Sequence, residues 1–95
     1  MRTFETVELN PDMIIFLKEY SPEEKHITSP KEIRLIEDKL NIAKYNNNLR
    51  ALRNSVVQFY DDLINEDPTN RNMVYAYVES MMSVTAVIDN YAYKF

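Results

Sequence analysis

The chain has 95 residues, 11 basic and 15 acidic side chains, a formal net charge of −4, no Gly and no Cys. This length suffices for one modest core, so we expect a single domain over residues 1–95. The lack of Gly argues against a phosphate-binding loop, a dinucleotide fold or a many-turned sheet, and the lack of Cys excludes disulfides and thiolate chemistry.

Residues 1–10 are predicted to form an extended arm. Phe4, Val7 and Leu9 stand among Thr and Glu residues, a pattern compatible with a short strand. A strand requires a partner, however, and we find no second convincing strand in the sequence.

A short helix is predicted over residues 11–20. Asn10 and Pro11 are a good N-cap and first-position pair, and Met13 and Leu17 are among its apolar residues. The Ser21-Pro22 pair ends the helix, and a polar loop follows.

Ser29-Pro30-Lys31-Glu32 is the clearest local signal, because Ser29 can cap the amide of Glu32 while Glu32 reaches back to the amide of Ser29. From here we predict one continuous helix over residues 30–66, about 55 Å long at 1.5 Å per residue. The run Asn46-Asn47-Asn48 is unfavourable in a helix, but none of the three falls on the apolar seam. A kink near Asn47 is the alternative.

Two apolar seams with alternating three- and four-residue spacing indicate coiled-coil-like helices. The first also extends back to Leu35. Their members are Ile42, Tyr45, Leu49, Leu52, Val56, Phe59 and Leu63 in the first, and Val74, Tyr77, Met81, Val84, Ile88, Tyr91 and Phe95 in the second.

Asp67-Pro68-Thr69-Asn70 combines a turn with a helix start, which predicts a final helix over residues 68–93. The expected fold is therefore all-α: an antiparallel hairpin with a long central helix and a short N-terminal helix, forming a three-helix bundle. The N-terminal helix would cover a second apolar face of the long helix, made of Ile33, Ile36, Leu40 and Ala43.

Charge alternates along the chain, with −3 over residues 1–30, +3 over residues 31–53 and −4 over the remainder. The six basic residues of the middle block scatter around a helical wheel. We therefore favour complementarity between touching segments over a nucleic-acid-binding face.

No catalytic or cofactor site is predicted. His26 has no second His or Cys at metal-ligand spacing, and we interpret it as solvated. The carboxylates of Asp61, Asp62, Glu66 and Asp67 lack the alternating ligands and turn Gly of a calcium loop, so we expect no metal site. A Ser or Thr nucleophile would lack an evident base, and we expect no enzymatic activity.

Seven Tyr residues are the composition signal most relevant to function, because Tyr is favoured at protein interfaces. Those on the seams are expected in the core. The predicted partner interface consists of side chains off or at the end of the seams, namely Tyr60, Met73, Tyr75, Met82, Tyr93 and Phe95.

We expect a non-enzymatic protein that acts by protein–protein interaction, as a homo-oligomer, an adaptor or an inhibitor. The two seams leave much apolar surface to cover, which favours self-association or an obligate protein partner. Richness in Asn, Ile, Lys and Tyr is compatible with a phage or AT-rich bacterial origin. The sequence has no membrane-length apolar run and no signal-like leader, which predicts a cytoplasmic location, in the host if viral, and no membrane partner.

The alternative is a DNA-binding regulator. The arm Arg2-Thr3-Phe4-Glu5-Thr6-Val7-Glu8-Leu9, a helix, and then a capped helix at Ser29 together resemble the ribbon-helix-helix family. That resemblance implies arms that pair between two chains and read the major groove. Glu5 and Glu8 depart from it, because they would oppose phosphate. A third possibility, a four-helix immunity-type inhibitor of a bacteriocin, requires the long helix to break at Asn46 to Asn48.

Overall fold

The described part of the protein, residues 5–22 and 29–92 of a computed structural model, is all-helical. It contains α1 (Pro11–Glu19), α2 (Pro30–Lys39), a 3₁₀ turn (Ile42–Tyr45), α3 (Leu49–Glu66) and α4 (Arg71–Ala92). Within these ranges there is no strand. The predicted all-α class is confirmed, and none of the described helices is long and apolar enough to cross a bilayer.

The first two helices begin at the predicted caps. The Asn10 side-chain oxygen accepts a hydrogen bond from the Met13 amide at 2.9 Å, and the Ser29 hydroxyl accepts one from the Glu32 amide at 3.2 Å. In each helix a Pro follows the cap. Pro is tolerated there because the first N–H of a helix has no intrahelical acceptor, so its absence removes no hydrogen bond. The Glu32 carboxylate accepts from the Ser29 hydroxyl at 3.5 Å and from the Tyr20 hydroxyl at 3.1 Å.

The predicted continuous helix over residues 30–66 is wrong. It is divided into α2 and α3 by residues 40–48, which include the 3₁₀ turn. The break begins before the Asn run, at Asn41, whose φ of 50° and ψ of 52° lie in the left-handed region. In a chain without Gly, Asn is the residue that adopts this conformation at least cost.

The break changes which side of the helix is buried. In α2, Ile36 and Leu40 are completely buried, although they lie on the second apolar face rather than the seam. Leu35, the predicted extension of the seam, is 42% exposed. After the break, Leu49 and Leu52 return to the seam and are buried. One straight helix cannot present both faces to the same core, and the bend at residues 40–48 resolves this conflict.

The last helix begins three residues later than predicted, at Arg71 instead of Pro68. The turn before it is closed by the Asn70 amide donating to the Asp67 carbonyl at 3.2 Å and by the Thr69 hydroxyl donating to the Asp67 carboxylate at 2.8 Å. The Asn70 side chain then accepts from the Met73 amide at 3.3 Å, so Asn70 is the cap of α4.

One apolar core draws on every helix. α3 and α4 make the most extensive contact between described elements, and α2 packs against α4. The buried members of the core are Met13, Leu17, Ile36, Leu40, Ile42, Leu49, Leu52, Val56, Tyr60, Val84, Val87 and Ile88.

The arm is held by α3 instead of by a second strand. The Ser55 hydroxyl accepts a hydrogen bond from the Val7 amide at 2.8 Å and donates one to the Val7 carbonyl at 2.7 Å. One residue further back along α3, the Asn54 side-chain amide donates to the Glu5 carbonyl at 2.9 Å. Side chains of a helix thus satisfy main-chain groups that a neighbouring strand would otherwise bind.

The end of α1 is held in the same manner. The Tyr60 hydroxyl, on α3, donates to the Leu17 carbonyl at 2.7 Å, and the Ser80 hydroxyl, on α4, donates to the Tyr20 carbonyl at 2.8 Å. The last carbonyls of a helix have no hydrogen-bond donor within that helix, and these hydroxyls from α3 and α4 donate to them instead. We refer to Ser55, Tyr60 and Ser80 as the hydroxyl clasp.

Candidate protein-binding surfaces

Of the six predicted interface residues, three are exposed on α4, one is buried in the core and two lie outside the described residues. Met73, Tyr75 and Met82 lie on α4 and are 44%, 57% and 54% exposed. Tyr60 is completely buried, so its assignment to the interface is corrected. Tyr93 and Phe95, like His26 and residues 1–4, lie outside the described residues.

Tyr60 is a core residue with a polar function inside the fold. Its ring centroid is 5.5 Å from that of Phe59 and 6.2 Å from that of Tyr77. Burial, with smaller contributions from Tyr20 and Tyr77, raises the pKa of Tyr60 well above its ordinary value of 10.0. The phenol therefore remains neutral and acts as the hydrogen-bond donor to Leu17.

Tyr75 and Met82 belong to one exposed strip of α4. Because an α-helix turns about 100° per residue, residues 71, 75, 79, 82, 86 and 89 all fall on one side of it. We call this set the outer strip; its members are Arg71, Tyr75, Glu79, Met82, Ala86 and Asp89. Tyr75, Met82 and Ala86 are exposed, while Glu79 and Asp89 are half-buried. Tyr75, Met82 and Ala86 provide its exposed apolar surface, the half-buried Glu79 lies at its centre, and Arg71 and Asp89 lie at its two ends.

Met73 is not part of the outer strip. It lies on the opposite side of α4, in line with the core residues Val84 and Tyr91, but within the first turn of the helix. Its exposure comes from its position at the end of the core. The predicted interface therefore contains at least two separate surfaces.

A groove between α1 and α2 forms a second exposed apolar surface. Its volume is about 720 Å³, within the range of about 300 to 1,000 Å³ that is typical of ligand sites. Ile15 on α1 and Leu35 on α2 are 54% and 42% exposed and line opposite walls. Phe16 and Tyr20 also line it, and their ring centroids are 5.3 Å apart.

The rim of the α1–α2 groove is acidic. Among the described residues that line it, Asp12 and Glu19 belong to the α1 wall, Glu32 and Asp38 belong to the α2 wall, and Lys39 is the one cation. Glu32 is only 7% exposed and is fixed by hydrogen bonds from Ser29 and Tyr20. A smaller hollow of about 420 Å³ continues from Leu35 towards Lys31 and Arg34.

Two polar contacts connect the charge blocks of the sequence. The Arg53 guanidinium forms an ion pair with Asp89 at 2.8 Å, which joins the basic middle block to the acidic C-terminal block. The side chain of Tyr91 is hydrogen-bonded to Glu37, and this bond is the largest cause of a raised Tyr91 pKa, with burial and the Glu37 charge contributing. The Arg53–Asp89 pair fits the predicted complementarity between touching segments, whereas the Tyr91–Glu37 contact joins a neutral phenol to a carboxylate.

The described residues contain no group of three or more His, Asp or Glu side chains arranged to hold a metal ion. Ile15 and Leu35 are not predicted as surface residues from the sequence. The seam spacing assigns Leu35 to the buried side of its helix, and no pattern singles out Ile15. The signal was present in α1, where Ile14 and Ile15 add apolar surface beside the buried pair Met13 and Leu17.

Comparison of the chain with protein-family models, curated proteins and solved structures found no match.

Proposed function

We propose that this protein acts by protein–protein interaction without catalysing a reaction, and that it associates with itself through the outer strip of α4. The observation that carries the proposal is the exposure of two large apolar side chains, Tyr75 and Met82, seven residues apart on the same side of one helix. Large exposed apolar side chains that are grouped in this manner are typical of interaction surfaces.

The scaffold in this proposal is an antiparallel pair of α3 and α4. Arg53, near the start of α3, contacts Asp89, near the end of α4. Tyr60, further along α3, contacts Tyr77, which precedes Asp89 on α4. The two helices therefore run in opposite directions, as expected for neighbouring helices joined by the four-residue turn over 67–70. The antiparallel pair leaves Tyr75, Met82 and Ala86 of the outer strip exposed, while Asp89 at the end of the strip contacts Arg53 of α3.

The outer strip is suited to pairing with a second copy of itself. In an antiparallel pair with a two-fold axis near residue 80, Tyr75 of each copy lies close to Ala86 of the other. Arg71 of each copy lies close to Asp89 of the other, so it would add a second cation beside the Asp89 carboxylate that Arg53 already binds. Such self-complementarity is what a two-fold interface requires. The same geometry brings the two Glu79 side chains near the axis, where they repel each other.

Light scattering of the purified protein over a wide concentration range tests self-association. We expect the average mass to rise from monomer towards dimer as concentration increases. Met82→Glu is expected to raise the dissociation constant by about tenfold or more, because it replaces an apolar contact by a carboxylate and adds to the repulsion between the Glu79 side chains. Asn47→Glu, in the exposed turn before α3, adds the same charge elsewhere and serves as the control.

Glu79→Gln provides the converse test. Removing the repulsion near the axis is expected to tighten the dimer by roughly two- to fivefold, the size of an exposed charge interaction. A mass that stays monomeric at every concentration, or a Met82→Glu variant that associates like the unmodified protein, would contradict self-association through this strip.

The arrangement of the arm does not favour the DNA-binding alternative. The main-chain groups of Val7 are bound by Ser55, so they are not available for pairing with an arm of another chain. Glu5 and Glu8 are exposed on the arm and would repel phosphate.

One observation favours the immunity-type inhibitor as a second candidate. That hypothesis requires a helix break at Asn46 to Asn48, and these residues lie in the interruption between α2 and α3. An inhibitor of this type would act as a monomer on one other protein. A monomeric mass at high concentration, together with stoichiometric capture of one toxin from the native host, would support it over self-association.

A further inference from the structure

We propose that the α1–α2 groove binds a basic amphipathic helix of another protein. Apolar side chains of that helix would contact Ile15 and Leu35, while its Lys and Arg side chains would face the acidic rim. This site lies on elements other than the outer strip of α4, so the inference is independent of self-association.

The apolar side chains of the groove provide the contact area. Ile15 and Leu35 extend from different helices into the same space, and each leaves about half of its surface in solvent. Both residues lie next to core side chains, Ile15 near Leu17 and Leu35 near Ile36, so their backbones are fixed by packing. A partner that covers them would bury apolar surface against a wall that does not need to reorganise.

The charge of the rim selects the partner. The described part of the groove lining contains four carboxylates and one ammonium group, from Asp12, Glu19, Glu32, Asp38 and Lys39. An acidic protein surface or an anionic membrane would be repelled, whereas Lys and Arg side chains would be attracted.

Glu32 gives the rim a fixed point. Its carboxylate is almost fully buried and accepts hydrogen bonds from Tyr20 and Ser29, which hold its position before any partner arrives. A preordered carboxylate loses little side-chain entropy when a cation binds. Tyr20 also connects this carboxylate to the aromatic wall, because its ring contacts Phe16.

A helix fits the groove better than an extended segment. The walls are α1 and α2, whose central amide and carbonyl groups are already bonded within each helix. They offer no free sheet edge to which a strand could be added. An amphipathic helix requires only side-chain contacts, and helix-in-groove binding is a recurring mode of recognition.

The test uses a fluorescent synthetic peptide of Leu and Lys in which the Leu residues recur at three- and four-residue spacing, so that it forms a basic amphipathic helix. Fluorescence anisotropy with the full-length protein measures its affinity at low and high salt. Two matched peptides are the controls, one with Glu in place of Lys and one with Ala in place of Leu. We expect binding of the first peptide, weakened by salt, and at least tenfold weaker binding of both controls.

Variants of the protein locate the binding site. Leu35→Ser is expected to weaken binding about tenfold, since an exposed Leu that anchors a partner contributes on this scale. Glu19→Gln combined with Asp38→Asn should weaken binding severalfold and reduce its salt dependence. The charge-matched control is Asp61→Asn combined with Glu66→Gln, two exposed residues of α3, which should leave the affinity within about twofold. Circular dichroism of each variant verifies that it is folded.

Three outcomes would overturn the inference. Equal binding of the Lys and Glu peptides would show that the rim does not select a cation. An equal loss of affinity in the groove and control charge variants would show that binding depends on the net charge of the protein and not on the carboxylates of the rim. A Leu35→Ser variant that loses self-association but keeps peptide binding would assign the groove to a second copy of the chain. Met82→Glu, expected to be monomeric, should bind the peptide normally, so failure of one proposal does not entail failure of the other.

Discussion

At the scale of single residues, Tyr60 combines the largest fully buried side chain with a polar function. Its hydroxyl completes the hydrogen bonding of the Leu17 carbonyl near the end of α1. A buried carbonyl without a partner costs free energy comparable to a lost hydrogen bond, and the phenol prevents this cost. Tyr60 thus fixes α1 against α3 through both packing and a hydrogen bond.

Tyr60→Phe is expected to lower the free energy of unfolding by about 1 to 2 kcal/mol at pH 7, because it keeps the ring and leaves the Leu17 carbonyl unpaired. Urea denaturation followed by circular dichroism measures the change. Tyr45→Phe, at a half-buried position of the 3₁₀ turn, is the control and should change the free energy by less than about 0.5 kcal/mol.

The contribution of Tyr60 also depends on pH. Its pKa is raised in the folded protein, whereas in the unfolded chain it ionises near 10.0. The stabilisation is therefore fully present below about pH 10 and is lost as the pH rises above it towards the raised value, by up to about 1.4 kcal/mol per pH unit. The difference between the unmodified protein and Tyr60→Phe should shrink accordingly above pH 10. A constant difference from pH 9 to 11 would contradict this ionisation.

The surface assignment of Tyr60 failed for an identifiable reason. The seam criterion counts one narrow side of α3 as buried, the side that meets α4. The arm covers one flank of this side, which carries Ala51 and Ser55, and α1 covers the opposite flank, which carries Tyr60. Ala51 and Ser55 are small residues four positions apart, and such a pair permits close approach of another backbone. This pair of small residues is visible in the sequence, but the sequence does not show which backbone packs against it.

At the scale of elements, helix starts were predictable and the helix break was not. Asn10 and Ser29 act on amides three residues away, so their function is encoded locally. The break at Asn41 depends on a tertiary conflict, because Ile36 and Leu40 must be buried on one side and Leu49 on another. Helix propensity alone indicates a possible break at the Asn run 46–48, several residues after the left-handed Asn41 at which the break begins.

Asn41 should therefore be more sensitive to substitution than its neighbours. Asn41→Ala is expected to cost about 1 to 2 kcal/mol, because a Cβ without a polar group disfavours the left-handed conformation. Asn46→Ala is the matched control, since Asn46 has φ of −49° and ψ of −36° and Ala adopts this conformation readily. Equal costs in chemical denaturation for both variants would contradict a special role for Asn41. Asn41→Gly should retain most of the stability.

At the scale of the whole molecule, the hydroxyl clasp joins the N-terminal segment to α3 and α4. Its bonds connect residues 43 to 60 positions apart in sequence, with Ser55 and Val7 separated by 48. Contacts this distant form late in folding and have no local sequence signature. Among the described residues, the outer strip and the α1–α2 groove expose large apolar side chains around this assembly.

Ser55→Ala is expected to release the arm while α3 and α4 remain folded. The substitution removes the acceptor of the Val7 amide and the donor to its carbonyl, at a cost of about 1 to 2 kcal/mol. Hydrogen exchange of the Val7 amide should accelerate, whereas exchange in the centre of α4 should change only slightly. Ser83→Ala, on α4, is the control. Unchanged exchange at Val7 in Ser55→Ala would show that the arm is held by other contacts.

The hydroxyl clasp also bears on how the protein can change over time. A hydroxyl that donates to a main-chain carbonyl does not depend on the side chain of that residue. The hydrogen bonds of Ser55, Tyr60 and Ser80 therefore depend on where the N-terminal backbone lies and not on which side chains it carries. α1 packs on the core through the buried Met13 and Leu17 and the partly buried Phe16. Its groove-facing positions, such as Ile15 and Glu19, are therefore open to substitution, and a lineage could acquire new binding partners there while the fold stays the same.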